Sequence, residues 1–480
     1  MSPMLSAEVA EALTTSYIWY DYFCIPQVPG PNKLAAIESI PSYISKAKYL
    51  FVLAPSLHHN DLPSVVNKAT WQQRGWCRVE QSIYSLTRNK VADTVAVFIY
   101  HSGFVVESVP MQWLYALPHK GDFTAEADRP VIEAMIGQVA ESREAKLRQR
   151  NSSFEWRFMK CVLRYIKNGV AMQTNLTNWL ADYSFGMMTD AGTPDGWQPI
   201  HFAAVEGNTS IVSALVEKGI SIDTPTVGLG YEVMAVRHLT PLMVAVYYIP
   251  CQKNNLVMVT HLVSLGASIH AKSELSQQAV HFASLGPGAA ESLQFLIREK
   301  ADIHAQDKGG ETALHYSSFT NATSNITRVD AIEILLKAGA DANVVGGPLG
   351  MTPWHFLCPS GDADTVRHFI ELKCDPNLQL PAHPARDELR TAVAKHEHEN
   401  IIADLAVHGE GLSPLMFAAW TGNWEVCEVL LEKRADVNLK TATGRTALDW
   451  LHSNEVYAGP THNLLEKHLM QDNSWTSLAV

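Results

Sequence analysis

At 480 residues the chain exceeds what one hydrophobic core sustains, about 250–300 residues, so it requires more than one domain. An apolar content of 47% beside 18% charged residues excludes wholesale disorder. A net charge of −12 argues against a nucleic-acid binder, whose affinity comes from neutralising phosphates.

The first sixteen residues carry acidic Glu8 and Glu11 where a leader would be basic, and they read as a short helix. Apolar strand-like runs then alternate with helical stretches. YIWYDYFCI from Tyr17, YLFVLAP from Tyr49 and TVAVFIY from Thr94 read as strands. KLAAIESIPSYISKA and WQQRGWCRVEQSIYSL read as the helices between them. The order predicts a β-α-β-α-β module with a parallel core over residues 1–127. In IWYDYFCIPQ, FVLAP and RGWCRVE this segment resembles the TIR-like superfamily, including its heterokaryon-incompatibility branch. The resemblance implies an α/β fold, self-association and, in the NAD-cleaving members, a catalytic carboxylate. Trp76, Cys77 and Glu80 match the segment that carries it, which makes Glu80 the candidate, with NAD as substrate and no bound cofactor. The bland alternative has Glu80 capping or pairing with Arg74 or Arg78. Too few residues precede Tyr17 to supply the family's first strand, so the module reads as incomplete.

Residues 128–194 read as a helical linker. PVIEAMIGQVAESREAKLRQR is one amphipathic helix, and SFEWRFMKCVLRYI from Ser153 is a second, expected to cap the N-terminal end of the segment that begins at residue 195. No apolar run reaches the 18 residues a membrane span needs.

From residue 195 to 471 one phrase recurs seven times. Its heads are Gln198, Thr240, Gln278, Thr312, Thr352, Ser413 and Thr446, as in TPLM, TALH and SPLM. Thr or Ser there can cap a helix, and Pro at the next position costs nothing where the N–H has no helical partner. In six units an apolar pair and a loop come next, such as LVSLGASIH from Leu262 and LLEKRADVN from Leu430. Gly219, Gly266 and Gly339 supply the left-handed backbone after the second helix. Lys300, Lys373 and Arg434 stand there in other units, which predicts looser turns. In these phrases the chain resembles ankyrin repeats, whose fold is an all-α solenoid and whose role is protein binding. The heads are spaced by 42, 38, 34, 40, 61 and 33 residues, so extra length loops out near 247–256, 320–328 and 378–410. The last of these is a decayed repeat or a helical insertion, read here as the insertion. Residues 472–480 form a tail.

The seven cysteines, Cys24, Cys77, Cys161, Cys251, Cys358, Cys374 and Cys427, show no CxxC pair and no zinc spacing. They read as reduced thiols in the cytoplasm, with no metal. His396 and His398 in HEHEN diverge on a helix and read as solvated surface. The resemblance gives the repeat histidines His201, His281, His315 and His355 a structural place, bonding the neighbouring turn. Seven residues past each head stand Val205, Tyr247, Leu285, Phe319, Pro359, Trp420 and Ser453. In ankyrin repeats that position faces the concave groove, so Tyr247, Leu285, Phe319 and Trp420 are candidates for partner binding. Trp420 is expected exposed, and Trp424 buried at a second-helix start.

The fold class expected is therefore α+β and multidomain: an incomplete TIR-like α/β module, then an all-α ankyrin solenoid. The function expected is a protein-binding scaffold in signalling, without membrane insertion. The rival is an NAD glycohydrolase steered by its repeats.

Overall fold

A computed structural model describes residues 31–46, 50–53, 57–58, 65–66, 74–87, 97–101, 104–107, 117–118, 121–123, 126–149, 153–167, 172–189, 196–227, 236–248, 255–285, 290–318, 329–347, 349–358, 363–393, 405 and 407–452. The chain divides into two compact units, residues 1–211 with 227–235, and residues 212–226 with 236–480.

In the first unit, helix α1 (Pro31–Ile44) packs on α2 (Gly75–Thr87), α2 on α3 (Asp128–Gln149), and α3 on α4 (Ser153–Ile166). Gly75 opens α2 where no side chain fits, because a Cβ there would lie 2.0 Å from the Phe123 ring. Its N–H donates to the Asp122 carbonyl at 2.8 Å, and Trp76 meets Phe123 edge-on at 6.4 Å. These contacts give the Gly-Trp pair of RGWCRVE a packing role. Short helix α5 (Leu176–Asp182) comes after α4, capped by the Asn175 side chain accepting from the Asn178 N–H at 3.0 Å.

The expected α/β module is not found. The strand predicted at 17–25 lies outside the described residues. Strand β1 (Leu50–Leu53) pairs in parallel with β4 (Val97–His101), but β4 doubles back at once into antiparallel β5 (Phe104–Glu107). The sheet order is β1-β4-β5, and β2 (Leu57–His58) with β3 (Val65–Val66) forms a separate antiparallel ribbon. His101 pairs with Phe104 across Ser102-Gly103, a two-residue link that favours a tight hairpin over a parallel crossover. The architecture is thus predominantly helical, with a small mixed sheet in place of a parallel TIR-like core.

The repeat heads start helices. Helix α6 (Pro199–Glu206) pairs in sequence with α7 (Thr209–Glu217), α8 (Pro241–Tyr248) with α9 (Asn255–Ser264), and α10 (Ala279–Leu285) with α11 (Ala290–Arg298). Then come α12 (Ala313–Ser318) with α13 (Val329–Lys337), α14 (Pro353–Leu357) with α15 (Ala363–Glu371), α17 (Pro414–Trp420) with α18 (Trp424–Glu432), and finally α19 (Ala447–His452). In the second unit the first helices α8, α10, α12, α14, α17 and α19 stack in one row, and the second helices α9, α11, α13, α15 and α18 in another. Each such pair cannot bury its apolar face alone, so stacking supplies the core.

The long gap between Thr352 and Ser413 does not interrupt the stack, because α14 packs on α17 and α15 on α18. Leu380 donates its N–H to the Leu412 carbonyl at 2.9 Å and accepts from Gly411 N–H at 2.8 Å. These bonds close the base of the intervening segment, and within it α16 (Pro384–Val393) forms. Arg386, buried, bonds the Pro381 carbonyl.

Lys300, Lys373 and Arg434 adopt φ of 69°, 67° and 66°, in the left-handed region, as Gly219, Gly266 and Gly339 do at 91°, 93° and 97°. Their turns are not looser. Lys300 N–H bonds the Ile297 carbonyl at 2.9 Å and Ala301 N–H the Leu296 carbonyl at 2.8 Å, matching 2.9 and 3.1 Å at Gly219 and Ile220. The same backbone hydrogen bonds close the turn whichever residue holds the left-handed position.

Candidate functional site: the repeat edge and its buried locks

The head of each unit is closed by the residue three positions on. In the histidine units, His201, His281 and His315 Nδ1 accept the head residue's own N–H, from Gln198, Gln278 and Thr312, at 3.0, 3.0 and 3.1 Å. In the last unit Asp449 does the same for Thr446 at 2.8 Å. This is a capping box with imidazole or carboxylate as the returning acceptor. Where methionine holds that place, the head hydroxyl does the capping: Ser413 accepts from Met416 N–H at 3.3 Å and Thr240 from Met243 N–H at 3.4 Å. Thr352 instead turns its hydroxyl to His355 Nδ1 at 2.7 Å.

The far ring nitrogen reaches the next unit. His281 Nε2 donates to the Ala305 carbonyl at 3.0 Å, His315 to Met351 at 3.2 Å and His355 to Leu412 at 2.9 Å. With one nitrogen accepting and the other donating, the ring is held as the neutral tautomer. Burial accordingly lowers the pKa of His281, and takes those of His315 and His355 down to about 4.

Between units the chain makes finger turns, and in the second unit their backbones bond to one another. Glu274 N–H donates to Arg237 carbonyl at 2.9 Å, Lys308 N–H to Leu275 at 2.8 Å, Gly347 N–H to Gly309 at 2.8 Å and Ala442 N–H to Glu410 at 2.9 Å. One finger holds an acidic pair. Asp307 accepts from Gly309 N–H at 2.8 Å, Glu311 N–H at 2.9 Å and the Tyr316 hydroxyl at 2.7 Å. Burial, and then the nearby Asp307, push the Glu311 carboxyl up to about 7. Exposed along this edge stand Arg237, Lys272, Leu275, Lys308 and Lys440. The carboxylates there are Glu274, paired with Arg237 at 3.9 Å, half-buried Glu410 and the half-buried pair Asp307 and Glu311 beside Lys308.

The expected groove residues are placed differently. Trp420 is buried at 6% exposure, its ring 4.8 Å from Trp450 of the next first helix and 5.7 Å from Phe417. Tyr247 is buried against Phe282 at 6.2 Å, and Leu285 is half-buried. Phe319, Pro359 and Ser453 lie outside the described residues, as do His396 and His398. Trp424 is half-buried at the start of α18. The exposure expected of Trp420 is therefore corrected: a large aromatic at that position fills the gap to the following unit. Glu80 lies half-buried on α2, one turn from buried Cys77. The five described cysteines, Cys77, Cys161, Cys358, Cys374 and Cys427, are buried free thiols.

Sequence reasoning did not find the buried carboxylate of the first unit. Glu206, at the end of α6, forms an ion pair with Arg164 of α4 and accepts from Trp179 Nε1 at 2.6 Å, the Tyr183 hydroxyl at 3.0 Å and Asn208 Nδ2 at 3.3 Å. The available signal was an acid ending the otherwise apolar PIHFAAVE helix, which demands a partner once buried.

Comparison with known proteins agrees with this geometry. The sequence matches ankyrin repeats, in their three-copy form, over residues 166–273 and 280–380, and in their many-copy form over residues 396–450. The putative palmitoyltransferase ZDHHC13 of Danio rerio is 25% identical over 179 residues, 37% of this chain and 22% of that protein. Neurogenic locus notch homolog protein 1 of Mus musculus is 30% identical over 155 residues, 32% of this chain and 5% of that protein. The crystal structure of the ankyrin repeat domain of Bcl-3 is 24% identical, covers 53% of this chain and 94% of its own, and superposes with a TM-score of 0.37. The chain thus spans less than a quarter of the length of either curated relative. Among the described residues no helix is long and apolar enough to cross a membrane. With ankyrin repeats matched over more than half of its length, the chain is an ankyrin-repeat protein, built as a protein-interaction scaffold.

Proposed function

We propose that the scaffold recognises a segment of a protein partner along the finger edge of the second unit, in the reducing cytoplasm and in a signalling role. The observation that carries this reading is the backbone ladder joining the finger turns. It makes the edge rigid, so little ordering entropy opposes binding there. Arg237, Lys272, Lys308 and Lys440 stand exposed along that edge among the carboxylates Glu274, Asp307, Glu311 and Glu410, and Leu275, 40% exposed, offers one apolar anchor. Complementary charge would steer the partner and fix its register. Five buried free thiols suit a reducing compartment.

The test is partner capture followed by lysine crosslinking. Crosslinks should concentrate at Lys272, Lys308 and Lys440, and Lys272→Glu with Lys308→Glu should weaken capture at least tenfold with an unchanged melting temperature. Crosslinks confined to the second helices, with capture intact in the double variant, would reject the reading.

A further inference from the structure

Glu311 closes the finger turn that begins at Asp307, its carbonyl accepting the Asp307 N–H at 3.0 Å, and its carboxyl lies against the next finger. Oε2 stands 3.8 Å from where a Cβ on Gly309 would be, and Oε1 2.8 Å from the Cβ position of Gly347. The Phe356 ring reaches the same Gly347 position at 3.5 Å, so the carboxyl fills space that a side chain at 347 would take. The backbones meet here too. Gly347 N–H donates to the Gly309 carbonyl at 2.8 Å, and a Cβ on Gly346 would lie 2.6 Å from the Gly310 oxygen. Three donors converge on Asp307, whereas the Glu311 carboxyl has no hydrogen-bond or ion-pair partner among the described residues. The titratable groups around it are Asp307 and exposed Lys308 of its own finger, Tyr316, and His281 and His315, which burial keeps neutral. Residues 343–347, opposite, carry none.

We propose that Glu311 is a pH-operated latch between these two fingers. Protonated, its carboxyl rests beside Asp307 and the Phe356 ring with no charge to solvate, and the Gly309–Gly347 bond stays made. Ionised, it sets a second negative charge beside Asp307 with no cation paired to it, and the junction opens to hydrate it. Burial, and then Asp307, place the transition at about 7, against about 4.3 in an open, solvated finger. The closed value lies above the open one, so the penalty on the closed junction is absent below about 4.3, grows as pH rises and is complete above about 7. The sign is opposite to that of His315 and His355, and the latch holds this part of the finger edge tightest on the acid side of neutrality.

Hydrogen exchange of the full chain at pH 6 and pH 8, with labelling times scaled for the intrinsic rate, tests the proposal. Protection of peptides covering residues 307–312 and 343–347 should fall roughly fivefold to tenfold at pH 8. Glu311→Gln, which keeps the shape of the protonated acid, should hold the pH 6 protection at both values. The difference between the two proteins isolates the latch from the histidines. Peptides covering the finger at residues 437–445, which lacks such a pair, should show no such fall. Equal protection of the native chain at both pH values, the same fall in Glu311→Gln, or an equal fall at residues 437–445 would each overturn it.

Discussion

The two units bury polar groups in opposite ways. In the first, one carboxylate gathers four partners: Glu206 takes Arg164, Trp179, Tyr183 and Asn208, binding α4, α5 and α6 at a single point. In the second, the same small device repeats, with His281, His315 and His355 each tying its own head to the next unit's backbone. A concentrated lock fails as a whole when one member is lost. A distributed one fails locally, since each repeat leans only on its neighbours.

Breaking the concentrated lock should cost most. Glu206→Ala leaves Arg164 with its buried ion-pair partner gone, and about 3–5 kcal/mol should be lost, read as a fall in the urea midpoint. Trp420→Ala opens a cavity against Trp450 and should cost about 3 kcal/mol. A Trp420 variant of normal stability would mean the ring is not packed between units.

The histidines sharpen the contrast through pH. His315 and His355 have folded pKa values near 4, below the unfolded value of about 6.5. Their stabilising contribution is therefore complete above about 6.5 and is lost as pH falls through about 4. Each should account for roughly 3 kcal/mol across that window. Urea midpoints of the repeat unit should fall on acidification, and the double variant His315→Gln with His355→Gln should flatten the profile. The smallest effect is at the turns: Lys300→Gly, Lys373→Gly or Arg434→Gly should each raise stability by up to about 1 kcal/mol, because φ near 67° suits glycine. Destabilisation would show that the side chains make contacts worth more than the backbone strain.

Legibility from sequence divides along the same line. The heads were legible because Pro at the first helical position and a capping residue before it are local signals, repeated from Gln198 to Thr446. The partners of those helices were not. Trp420 meets Trp450 of the next unit, a contact no local spacing encodes, so its groove position suggested exposure where packing won. Lys300 misled for a related reason: its propensity argues against a left-handed turn, but the hydrogen bonds on both sides impose it. In the first unit, Ser102-Gly103 was an available hairpin signal that the strand-helix alternation obscured, and the parallel sheet was expected in its place. Of the finger edge, the lysines were visible in the sequence but their alignment was not, because the backbone bonds that join successive fingers depend on the stack.

Hydrogen exchange read by mass spectrometry, on Glu206→Ala and His315→Ala side by side, tests the contrast most directly. The account predicts that Glu206→Ala accelerates exchange across α4, α5 and α6 together, whereas His315→Ala accelerates it only around residues 312–358, in its own unit and at the head of the next. Uniform acceleration throughout the second unit in His315→Ala, or acceleration confined to α6 in Glu206→Ala, would contradict it.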